Sequence, residues 1–222
     1  MANWSAEELR KIFDGCDDLV ERQILVGGQQ LDVLFLDGLC SGGDIAEQVL
    51  RPLMEAIRPG SMQEILEQAE KCAVYCAVAE RADSAEAAAD KLVHGFCAVV
   101  FGSMGTALCF ETKTSVKRGP SAPESENTVK GAKDAFTETM RINTSLVRRH
   151  LRAPQLRLRQ KTIGMRSKTA VTICYLADLT APELVSRMEK RLDTIDIDGL
   201  LTPAAVEEYI TGSRKTAFPL LQ

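Results

Sequence analysis

Gly27-Gly28 lies between two apolar runs, ERQILV and QLDVLFLD, and this arrangement constrains the fold more than any other in the chain. Two adjacent glycines supply the positive φ angles that a two-residue hairpin turn demands, so the runs predict an antiparallel strand pair. A capped helix follows at once. Ser41 and Asp44 open it, and Ile45, Val49, Leu50, Leu53, Met54 and Ile57 place one apolar stripe along it. The same order returns late in the chain. QLRLRQKTIG and KTAVTICYLA read as a hairpin, and Thr180, Pro182 and Glu183 then open a helix with an early proline and a capping-box pattern. The second strands end on related sequences, FLDGL and YLADL, 140 positions apart. Two similar α/β halves would produce that echo.

Ahead of the first hairpin, Ser5 and Glu8 form a capping box for a first helix closed by Gly15, and between the halves Ser61 starts a short helix after Pro59-Gly60. CAVYCAVA reads as a strand, although its length leaves a helix open. Asp83 and Glu86 cap an alanine-rich helix, and FCAVVF and TALCFE flank GSMG as a further hairpin. KTSVKRGPSAPESEN then lacks apolar periodicity and reads as an exposed linker. A helix follows from Lys133 to about Leu151, with Phe136, Met140, Leu146 and Val147 as its buried face, and Thr202-Pro203 opens the last one. The expected division is a first α/β subdomain at 1–112, a linker at 113–132 and a second α/β subdomain at 133–222.

Composition narrows the class. A chain of 222 residues, 45% hydrophobic and 26% charged, can bury a core and is too apolar for disorder. The seven cysteines form no CxxC pair and only two histidines exist, so neither a disulfide framework nor a zinc site is indicated. No apolar run reaches the ~20 residues that span a bilayer. No phosphate-binding glycine motif, acid–base pair or cofactor motif stands out. Cys97 and His94 are near neighbours, but a nucleophile and base this close in sequence are mostly an accidental pairing.

Charge is the main positive feature. Thr139 to Ala177 contains nine Lys or Arg and no Asp or Glu, whereas the whole chain carries a net charge of −4. Arg148, Arg149 and Arg152 fall at the C-terminal half of a helix, where cations complement the macrodipole. Arg157, Arg159 and Lys161 alternate with Leu156 and Leu158 and so share one strand face. A solvated face is one reading; an anionic partner, the acidic first lobe or lipid headgroups are others. Nucleic acid fits poorly, because aromatic residues make up 5% of the chain and none interleaves with the arginines.

The stretch from Glu126 to Leu201 resembles the N-terminal domain of the GerA-type spore germination proteins. Gly131, Phe136, Glu138, Asn143, Leu146, Arg148 and Arg149 match one block of that pattern. Ile163-Gly164, Arg166-Ser167-Lys168-Thr169, Tyr175, Arg191-Leu192 and Ile195-Asp196-Ile197-Asp198 match the next two. CDDLVERQ, LFLDGL and FCAVVFGSMGTALCF carry a looser likeness in the first half. Ala132-Lys133 departs from the family's Pro-Arg, and His150 stands where the family has an arginine.

The resemblance implies an A subunit of a nutrient germinant receptor, non-enzymatic and without cofactor or metal. Its soluble portion is two α/β subdomains joined by a linker, similar to solute-binding proteins. Its place would be the inner spore membrane, with this portion facing the spore core, and membrane helices would follow Gln222. Its partners would be B and C subunits and further copies of itself in an ion-conducting assembly. A stage V sporulation paralogue has the same pattern, and a nutrient-binding module between the lobes is a second reading. Glu126, Asn127, Arg148, Arg149 and Arg166 are the candidate interlobe or subunit contacts.

Overall fold

The computed structural model describes residues 4–76, 78–114, 135–200 and 203–211. The chain forms two compact units, Met1–Leu156 and Arg157–Gln222. Both are α/β, as expected. The contact boundary falls later than the subdomain boundary read from sequence, and the helix Met140–His150 belongs to the first unit. Most of the expected linker lies outside the described residues.

The first unit is built on a five-stranded sheet ordered β1-β2-β4-β5-β3. Its strands are β1 (Leu19–Val26), β2 (Gln29–Leu36), β3 (Ala79–Ala82), β4 (Phe96–Phe101) and β5 (Thr106–Glu111), and each pairing is antiparallel. Val26 stands opposite Gln29, which leaves Gly27 and Gly28 as the turn at φ +54° and +85°. A Cβ at either position would strain this turn. Strand β4 is buried at every position, and alternation splits its side chains between two cores. Phe96, Ala98 and Val100 pack with Leu34, Leu36 and Cys109 beneath α1 (Ala6–Ile12) and α5 (Ala85–Val93). Cys97, Val99 and Phe101 pack with Leu31, Val33 and Phe110 beneath the helices on the other face. Helices on both faces explain why these strands read as continuous apolar runs rather than alternating ones.

That second helical layer contains α2 (Gly42–Asp44), a π-helical segment Ile45–Leu50 and α3 (Arg51–Ala56) in continuous succession, then α4 (Met62–Gln68). Pro52 has no N–H, so the carbonyl of Gln48 loses its helical donor. The backbone amide of Tyr75 supplies one at 3.1 Å. Loss of a helical bond beside a widened turn is the usual setting of a π-segment. The Tyr75 bond also bears on CAVYCAVA. Residues 74–76 run as irregular chain, and the strand starts later, at Ala79. Tyr75 is held at the helix rather than at the sheet edge.

Caps form largely where the sequence places them. Ser61 and Glu64 make a reciprocal capping box for α4, and the Ser41 hydroxyl accepts from the Asp44 amide at 3.2 Å. For α5 the cap is Ser84, whose hydroxyl accepts from the Ala87 amide at 3.1 Å, rather than Asp83. Helix α6 (Met140–His150) begins later than expected, and Phe136 is 68% exposed instead of buried.

In the second unit, β6 (Leu156–Ile163) pairs with β7 (Thr169–Leu176), and α7 (Pro182–Asp193) and α8 (Pro203–Thr211) follow. Ile163, Leu192 and Ile195 form its buried centre. The basic stripe of β6 is not simply solvated. Arg159 pairs with Glu189 at 2.7 Å and Lys161 with Asp193 at 2.5 Å, both on α7. The strand face bearing these cations is therefore the face that α7 covers. The sequence echo has a limit here: Leu39 of FLDGL is buried at 6%, whereas Leu179 of YLADL is 77% exposed.

Candidate functional site

Helix α6 carries three of the nine cations between Thr139 and Ala177, namely Arg141, Arg148 and Arg149, and the way it is fastened decides which of them are available. Its entry is a side-chain cap. The Asn143 carboxamide accepts from the Thr137 amide at 2.7 Å and donates to the Thr137 carbonyl at 2.7 Å, closing the turn before the helix. The helix then lies against Gly38. A Cβ there would meet the Arg141 carbonyl and the Ser145 Cβ, each at 3.1 Å, on a backbone at φ +84°. Only glycine satisfies both conditions. Arg141 extends over the junction to Asp37 at 2.5 Å.

Farther along, Arg148 is 1% exposed. Its guanidinium donates through Nε and NH2 to the two carboxylate oxygens of Asp18, the latter bond at 2.7 Å, and through NH1 to the Leu156 carbonyl at 3.3 Å. The Cys16 thiol donates to the same carbonyl at 3.4 Å. Burial alone would lower the pKa of Arg148, but the hydrogen bonds and charge of Asp18 outweigh it and hold the guanidinium above its ordinary value. The fork-to-fork geometry is one that lysine could not reproduce. Arg148 is thus a clamp between α6 and the start of β1, within the first unit.

The other candidates fall elsewhere. Arg149 is half-buried, and among the described residues it makes no ion pair. Arg166 lies on the β6–β7 turn at 84% side-chain exposure, 3.6 Å from Asp198. The turn itself is tied by backbone bonds from Arg166 and Ser167 to the Asp198 carbonyl. Glu126 and Asn127 lie outside the described residues. The structure therefore does not gather the five candidates into one site. Asp18, Asp37 and Gly38 are the residues that sequence reasoning passed over, although FLDGL contained two of them.

Among the described residues, the buried thiols beside the clamp's sheet are held unreactive. Burial pushes the thiol of Cys40 up to about 11, that of Cys109 up to about 12 and that of Cys97 well above its ordinary value. Such thiols are poor nucleophiles at neutral pH. His94 has Nδ1 2.7 Å from the Asp90 carbonyl in its own helix. Among the described residues, no group of His, Cys, Asp and Glu could hold a metal ion, and no helix is long and apolar enough to cross a membrane.

Two α/β units, the first with an arginine-clamped helix, define the class of fold to which the chain belongs. The family model for Bacillus/Clostridium GerA spore germination proteins matches residues 7–222, and the chain belongs to that family. It is 30% identical over 92% of its length to stage V sporulation protein AF of Bacillus subtilis (strain 168), covering 42% of that protein. It is 25% identical over 96% of its length to spore germination protein GerLA of Bacillus cereus, covering 44% of it. The chain thus spans less than half the length of these relatives. The crystal structure of the N-terminal domain of the A subunit of the Bacillus megaterium germinant receptor GerK3 shares its fold. The TM-score is 0.68 at 22% identity, over 99% of this chain and 82% of that one.

Proposed function

We propose that this chain is the core-facing N-terminal domain of a nutrient germinant receptor A subunit, held at the inner spore membrane by helices downstream of it. There it assembles with B and C subunits and further copies of itself, and passes nutrient binding to the membrane part. The family match over residues 7–222 carries this reading. The half-buried Arg149 and the exposed Arg166 are the contacts we assign to neighbouring subunits, together with Glu126 and Asn127, which lie outside the described residues. Arg148 can serve assembly only indirectly, by holding α6 in place.

A second reading is that the full-length protein acts as a stage V sporulation paralogue. The 30% identity to stage V sporulation protein AF favours it. Deleting the gene and testing the spores against a panel of single nutrients separates the two. A receptor subunit leaves the spores blind to one nutrient or one nutrient mixture. An unchanged response to every nutrient removes the receptor reading.

A further inference from the structure

The outer side of α6 carries a shallow apolar groove of about 420 Å³ lined by Phe136, Leu146, Val147, His150 and Leu151. Phe136 is 68% exposed and Leu151 is 40% exposed, although each is large and apolar. Leu146, Val147, His150 and Leu151 recur at the three- and four-residue spacing that presents a continuous ridge to a helical partner. Basic charge surrounds that ridge. Arg149 and Arg152 make no ion pair among the described residues, and no Asp or Glu occurs from Thr139 to Ala177. Arg148 is spent on Asp18 inside the unit.

We infer that this groove docks an acidic amphipathic helix of another protein, whose apolar residues at three- and four-residue spacing cover Phe136 and Leu151 and whose carboxylates meet Arg149 and Arg152. The inference rests on reading Arg149 as an assembly residue and specifies the chemistry of what it meets. Two observations favour a protein helix over an anionic membrane. The chain as a whole is acidic at −4, and outside 139–177 its 18 basic residues face 31 acidic ones, so a lipid surface would be repelled by most of the molecule. Polybasic lipid-binding segments also use clusters of about 4–8 cations, more than the two arginines, Arg149 and Arg152, assigned to this groove.

Site-specific photocrosslinking tests this in the full-length protein in spore membranes, with a benzophenone amino acid at Leu151 and, as control, at the exposed Arg22. The expected result is an adduct at Leu151 absent from the control. Its peptide comes from another protein, carries net negative charge and shows the predicted apolar spacing. Phe136→Ala and Arg149→Glu/Arg152→Glu alter exposed or half-buried positions and should leave the fold intact. The double charge reversal lowers the adduct yield about fivefold, the value of two exposed ion pairs. Adducts confined to lipid, a peptide from this same sequence, a basic peptide, or no adduct above control would each overturn the inference. Failure of the receptor reading looks different: nutrient responses stay normal while the acidic adduct persists.

Discussion

Asp18→Ala strands the Arg148 guanidinium, which is 1% exposed and is left with the Leu156 carbonyl and the Cys16 side chain. Breaking a buried ion pair from one side costs about 3–5 kcal/mol, because the remaining charge stays desolvated. Arg148→Met should cost less, about 2–3 kcal/mol, since the Asp18 side chain is 12% exposed and can recover water. The double substitution removes both charges, so its cost should fall below that of Asp18→Ala alone, with a coupling of at least about 2 kcal/mol. Against a typical domain stability of about 5–15 kcal/mol, each single change should shift the unfolding midpoint clearly. Trp4 is the chain's one tryptophan, is 5% exposed and packs in the core under α1, so its fluorescence in urea reports on the unit that contains the clamp. Strictly additive costs, or single costs below about 1 kcal/mol, would refute the clamp.

Other consequences can be checked on the same preparation. Gly38→Ala should destabilise the first unit by about 1–3 kcal/mol and raise amide exchange in α6, because the new Cβ meets two atoms at 3.1 Å on a left-handed backbone. Phe136→Ala should change stability by less than about 0.5 kcal/mol in the same urea titration, as suits an exposed side chain. Cys40 is a thiol whose folded pKa is raised to about 11 from 9.0, so its contribution is present below pH 9 and is lost as pH rises toward 11. Between those values stability should fall by up to about 1.4 kcal/mol per pH unit from this group, and less steeply in Cys40→Ala. In the native state at pH 8, a thiol reagent should label the exposed Cys174 well before the buried Cys40, Cys97 and Cys109.

Local chemistry made much of this fold readable. Gly27-Gly28 forms the turn it announces, and the short helix that Ser61 starts forms as read, because both depend on residues within four positions of each other. What sequence left hidden depends on distant partners. CAVYCAVA has strand composition, but Pro52 frees a carbonyl that captures Tyr75, so the strand starts later. Phe136 looked like the first turn of an apolar helix face; the Asn143–Thr137 cap starts the helix after it and leaves the ring in the groove. Arg148 and Arg149 are indistinguishable neighbours in sequence. One step around the helix turns Arg148 into the core toward Asp18, 130 positions away, and leaves its neighbour half-buried and without an ion pair among the described residues. The stripe of Arg159 and Lys161 had a solvated reading because nothing local shows that Glu189 and Asp193 lie on the helix above it.

That difference between two adjacent arginines also gives the most direct test of the proposed role. Spores carrying full-length protein with Arg149→Glu, present at the normal level, should lose the nutrient-triggered fall in refractility that wild-type spores show. The isolated domain with the same substitution should unfold at an unchanged urea concentration. A normal nutrient response from Arg149→Glu spores would contradict the account.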